Sequence, residues 1–169
     1  MGLLVDLNTE VEQIFKEQWK TRKGQVVPGS EDLKLCNDAV LLDGTVLYAD
    51  LSGSTYLVDN NKQHFAAEIY KTYLHCAAKI VRSEGGTITA YDGDRIMAVY
   101  IGDSKNTSAA RSALKIYYAV LYIINPAIKK QYPNSNYEKG QVTGIDTCKL
   151  FIARTGIRGS NDLVWVGKA

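Results

Sequence analysis

The stretch VLYADLSGST, Val46 to Thr55, ends an apolar run on Asp50 and passes at once through small residues toward a helix start. A carboxylate placed there is a hard oxygen ligand suited to magnesium or manganese, and unpaired N–H groups at a helix start receive phosphate oxygens. Leu51 and Ser52 can add backbone contacts. Read alone, the segment is equally well turn or capping chemistry. A second segment, GGTITAYDGDRIMAVY, Gly85 to Tyr100, puts Asp94 beside the Asp92-Gly93 pair, a strong two-residue hairpin signal. If that hairpin pairs with the strand ending at Asp50, two carboxylates converge at one edge of a sheet. Read by itself, the segment is equally well only a turn at Asp92-Gly93 with Asp94 a solvated carboxylate.

The elements that must position this pair follow from periodicity. Val11, Ile14 and Phe15 mark an amphipathic helix within residues 5–20. Asp43-Gly44 reads as a hairpin turn inside 39–51, its second strand covering 45–50. Residues 63–83 form a helix with Phe65, Ile69, Tyr73, Ala77, Ile80 and Val81 on one face, ended by Gly85-Gly86. Strands are expected over 87–91 and 95–101. A third helix spans 107–124 with Ala110, Leu114, Tyr117 and Leu121 inward, and Pro126 opens a further helical turn. Strands over 141–146, 150–156 and 163–167 complete the set. This order is an α+β sandwich, one helical layer on an antiparallel-rich sheet.

The 169 residues fit one packed domain, and 20 Lys and Arg against 18 Asp and Glu give +2, too balanced to call for a nucleic-acid or membrane surface. Cys36, Cys76 and Cys148 lack metal spacing and are odd in number, so reduced, buried thiols are expected. His64 and His75 have no ligand-spaced partner. The tyrosines fall mostly at core-facing positions, which argues against base stacking on nucleic acid. With no leader and no membrane-length apolar run, a cytoplasmic protein is expected.

In tandem, YADLSGST at 48–55 and GGTITAYDGDRIMAVY, followed by TGIDTCKLFIARTGIRGSNDLVWVG at 143–167, resemble the class III nucleotidyl cyclases. The resemblance covers about three quarters of the chain. It implies a ferredoxin-like catalytic domain over 39–169 behind an N-terminal helical extension, 1–38. It also implies a homodimer with nucleoside triphosphate bound at the interface, and two divalent cations, manganese or magnesium, on Asp50, Asp94 and the Leu51 carbonyl. Gly53, Ser54 and Thr55 would hold phosphate.

Departures from the family pattern concern the base. Adenylate and guanylate cyclases carry Lys or Glu where Ala90 stands, and a polar selector where Val164 stands. Tyr91, Asp92 and Trp165 beside them could read a smaller base, with Asp92 accepting from uracil or cytosine or simply making the turn. The pattern resembles the pyrimidine cyclases of the Pycsar antiphage system, which implies cyclic UMP or cyclic CMP as product. Adenylate or guanylate cyclase activity and a non-catalytic dimerisation domain are the alternatives. The family's ribose-orienting Asn, its transition-state Arg and its triphosphate Lys would come after Ala169, so a truncated catalytic domain is expected. Arg95 and Arg154 read as solvated strand residues, and Asp146 as structural.

Overall fold

The computed structural model describes residues 2–168 and divides them into two compact units, one made of residues 2–43 with 148–168, the other of 44–147. Two long strands, β2 (Asp38–Ser52) and β5 (Gly140–Ile157), run through both.

In the 44–147 unit, β3 (Thr87–Asp92) and β4 (Arg95–Tyr100) form the expected hairpin. It closes on Gly93, whose φ of +60° lies in the left-handed region where a side chain is strained. β4 pairs antiparallel with β2, Thr45 opposite Tyr100 through Ala49 opposite Ile96. Because strand side chains alternate, Leu47, Ala49 and Leu51 of β2 and Ile96, Ala98 and Tyr100 of β4 share one face. That face packs on α3 (Gln63–Ser83) through buried Phe65, Ile69, Tyr73, Ala77 and Val81, as the helical spacing requires. A short α2 (Ser54–Asn60) adds Leu57 to the same core.

The third helix is longer and differently turned than its sequence suggests. It comprises α4 (Lys105–Ala119), a π-helical turn (Val120–Ile124) and α5 (Asn125–Gln131), which begins on Asn125-Pro126. Its buried stripe is Ala109, Ser112, Ile116, Ala119 and Val120, whereas Ala110, Leu114 and Tyr117 face out and Leu121 is half-buried. The expected face is therefore wrong. The buried Tyr100 hydroxyl donates to Ser112 Oγ at 2.7 Å, which satisfies the polar residue on that inner face.

Two expected strand breaks do not exist. Asp43-Gly44 lies inside β2, with Gly44 buried and without the positive φ a primed turn needs. β1 (Lys20–Lys23), which the sequence did not reveal, pairs parallel with Asp38 to Leu41, and β4 takes over from Thr45, so the backbone finds partners on either side of the pair. Likewise 141–146 and 150–156 belong to one strand, β5. The Thr147 hydroxyl between them donates to Asn106 Oδ1 at 2.8 Å and lies 2.9 Å from the Thr45 hydroxyl.

In the other unit β5 pairs with β6 (Ser160–Val166), Phe151 opposite Val166 through Ile157 opposite Ser160. Leu33, Ala39, Val40, Leu42, Leu150, Ile152 and Ala153 are among its buried residues, with Asn37 and Asp38 as buried polar ones. α1 (Leu3–Lys16) is amphipathic yet buries none of its residues. Its end is tied down where Asn37 Nδ2 donates to the carbonyls of Ile14 and Glu17 at 2.8 and 2.7 Å. Cys36, Cys76 and Cys148 are free thiols and half-buried rather than buried. Tyr73 and Tyr100 are core residues, but Tyr48, Tyr56, Tyr91, Tyr117, Tyr118 and Tyr122 are exposed, so most of the tyrosines do not face the core as expected. No helix among the described residues is long and apolar enough to cross a membrane.

Candidate active site

The pairing of β2 with β4 brings Asp50 and Asp94 to the same end of the two strands, since the register that sets Ala49 against Ile96 continues toward the hairpin tip. Asp50 Oδ1 and Asp94 Oδ2 are both buried and accept no hydrogen bond. Arg95 Nε lies 3.5 Å from Asp50 Oδ1, near enough for charge attraction but not a hydrogen bond. Both carboxylates act electrostatically on the same two groups, the Tyr73 phenol and the Lys139 ammonium.

A buried carboxylate oxygen without a donor is costly unless a cation satisfies it. Two such oxygens make an all-oxygen donor set of the kind magnesium and manganese prefer, and the residues therefore fit a divalent cation. Among the described residues no three His, Cys, Asp or Glu side chains gather, so the remaining ligands must come from backbone, water or substrate. Leu51 suits that need. It follows Asp50 directly and its side chain is committed to the core, so a contribution from Leu51 would be its backbone carbonyl.

Past Ser52 the chain turns on Gly53, at φ 71° and ψ 33°, and Ser54 and Thr55 open α2 with no side-chain cap on its first amides. Those N–H groups have no intrahelical partner and are available to an acceptor. A cleft of about 530 Å³ beside this turn is lined by Ser52, Gly53, Tyr56 and the segment Ser135 to Glu138.

Lys139 and its surroundings went unnoticed in the sequence. The side chain is 3% exposed, and its ammonium donates to the Ser52 carbonyl at 2.7 Å. Burial pushes its pKa down to about 8, against the pull of Asp94 and Asp50 in the opposite direction. The phenols of Tyr73 and Tyr137 are buried nearby without hydrogen-bond partners; burial raises both, reinforced at Tyr73 by Asp50 and Asp94 and at Tyr137, pushed up to about 12, by Tyr70 and Asp94. Tyr73 was legible only as a core position. Lys139, in a polar segment without periodicity, carried no local signal.

The base-selecting candidates are distributed over two strands. Ala90, Tyr91 and Asp92 lie on β3 opposite Met97, Ile96 and Arg95, just after a bulge, with Tyr91 and Asp92 exposed. Val164 and Trp165 lie on β6 opposite Ala153 and Ile152. Arg154 is engaged by Asn161 Oδ1 at 2.7 Å and the Leu33 carbonyl at 3.2 Å, and His64 and His75 are exposed on or beside α3.

The chain is 55% identical over its whole length to a uridylate cyclase of Xanthomonas perforans, of which it spans 74%, and 54% identical to one of Burkholderia cepacia, of which it spans the same share. The chain belongs to the uridylate cyclase family. A uridylate cyclase of Rhodovulum is 36% identical, again over the full chain and 72% of its own length. No family model matches. Among solved structures, a class III adenylyl cyclase-like ATP-binding protein from Pseudomonas aeruginosa superposes with a TM-score of 0.73 at 16% identity, over 96% of this chain and 37% of that one. The adenylyl cyclase CyaB from P. aeruginosa gives 0.69 at 20% identity, over 77% of this chain and 68% of that one. The fold is thus that of the class III cyclases, as the motifs implied.

Proposed function

We propose that this chain cyclises UTP to 3′,5′-cyclic UMP and pyrophosphate, with CTP as the next substrate to test. The observation that carries the reading is the pair of buried oxygens on Asp50 and Asp94 that accept no hydrogen bond, in a chain of this family. In the reaction the ribose 3′ oxygen bonds to the α-phosphorus, the bond from α-phosphorus to the bridging oxygen breaks, pyrophosphate leaves, and the hydroxyl proton passes to solvent. Two divalent cations, manganese or magnesium, held by Asp50, Asp94 and the Leu51 carbonyl would supply charge neutralisation and a lowered hydroxyl pKa.

The chain's own groups orient and select. Gly53 turns the backbone so that the amides of Gly53, Ser54 and Thr55 receive phosphate oxygens. Ala90 and Val164 remove the polar purine selectors of the adenylate and guanylate cyclases, while Tyr91, Asp92 and Trp165 fill space and read a pyrimidine edge. A homodimer with its nucleotide sites at the interface, and a second-messenger role in antiphage defence, belong to the same proposal and rest on the family resemblance. Product identification after incubation with each of the four nucleoside triphosphates and manganese tests it. Cyclic UMP should dominate; exclusive conversion of ATP or GTP would overturn the pyrimidine assignment.

A further inference from the structure

Lysine is almost never fully buried unless its charge is engaged. Lys139 is buried, and its ammonium donates to a carbonyl 87 positions away in sequence, that of Ser52 at 2.7 Å. The backbone of Lys139 is itself gripped. Its N–H donates to Asn125 Oδ1 at 2.8 Å, and its carbonyl accepts from Asn125 Nδ2 at 3.0 Å. This two-point clamp does for an irregular segment what a strand ladder does elsewhere. Asn125 follows directly on the π-helical turn Val120–Ile124, and the extra residue of a π turn changes which side of a helix the next residue faces.

We propose that Lys139 is a positioning residue: clamped by Asn125, it holds the Ser52 carbonyl and thereby fixes the turn that presents the Asp50 carboxylate and the Leu51 carbonyl. This deepens the function proposed above and rests on it for what the turn binds. Its physical basis is pre-organisation, because a turn held before the ligand arrives loses less freedom on binding.

Three variants of the full chain test it: Lys139→Met, which removes donor and charge; Lys139→Arg, which keeps both; and Asn125→Ala, which keeps the charge and removes the clamp. Amide hydrogen exchange over residues 51–55 should accelerate about tenfold in Lys139→Met and Asn125→Ala, with α3 amides unchanged. Affinity for the manganese complex of inorganic triphosphate, measured by calorimetry, should fall by about the same factor in both, and Lys139→Arg should stay within about threefold of wild type. Should Lys139→Met not fold, the other two variants carry the comparison. Wild-type exchange and affinity in Asn125→Ala, alongside loss in Lys139→Met, would mean that charge alone matters and would overturn the positioning role. Wild-type values in all variants would sink this inference alone. A wild-type chain that does not bind the manganese complex would sink the proposed function, and this inference with it.

Discussion

Arg95 Nε stands 3.5 Å from Asp50 Oδ1, and that oxygen is nevertheless buried without a hydrogen bond. The guanidinium softens the charge of Asp50 from the strand opposite but leaves the oxygen open to a ligand. The partner carboxylate, Asp94, has an open buried oxygen of its own.

Replacing either carboxylate should therefore cost function and not fold. Asp50→Ala or Asp94→Ala should abolish cyclic nucleotide formation. In metal-free buffer each should still unfold in one cooperative transition, because relief of the like-charge repulsion offsets the lost attraction to Lys139 and, for Asp50, to Arg95. The stabilisation that manganese confers on the wild type should disappear. Melting curves with and without manganese, beside a product assay, check this; full activity in either variant would remove the assignment.

Burial of Lys139 makes stability depend on pH in a defined direction. Its folded pKa, about 8, lies below the ordinary value of 10.5, so between those values the unfolded chain binds more protons than the folded one. Stability therefore rises with pH across that window, and below it the full cost of the buried charge is paid. Relative to Lys139→Met, metal-free wild type should gain roughly 2–3 kcal/mol between pH 7.5 and 10. Urea unfolding of both proteins at the two pH values is the measurement, and a constant difference would contradict it.

Gly86 has no room for a side chain. A Cβ there would lie 2.6 Å from the Tyr100 ring and 2.8 Å from Val81, and Tyr100 is held by its hydrogen bond to Ser112. Gly86→Ala should destabilise the protein by about 1–3 kcal/mol, read from the denaturant midpoint. Gly85→Ala tests a different cause, since that site is open but has a φ of +80°.

Asp92 offers a test of base reading separate from stability. It is exposed on β3 opposite Arg95, beside the Gly93 turn. If it reads the base, Asp92→Ala should change the ratio of kcat/KM for UTP to that for CTP by about tenfold or more while leaving the melting temperature within about a degree. An unchanged ratio assigns Asp92 to the turn alone.

Local pattern determined much of this protein. Asp92-Gly93 marked the β3–β4 hairpin, and the buried stripe of α3 followed from helical spacing, because each depends on residues a few positions apart. The same locality made the placement of Asp50 and Asp94 legible, since Asp50 lies near the end of β2 and Asp94 in the turn between β3 and β4. What failed depended on partners distant in the chain. Asp43-Gly44 has turn chemistry but stays extended because β1 and β4 supply its strand with hydrogen bonds, and α4 buries Ser112, which Tyr100 bonds, while Leu114 faces out. Lys139 is the clearest case. Its sequence neighbourhood is polar and irregular, and only the folded chain carries it to Ser52, where burial and two distant carboxylates give its charge a role.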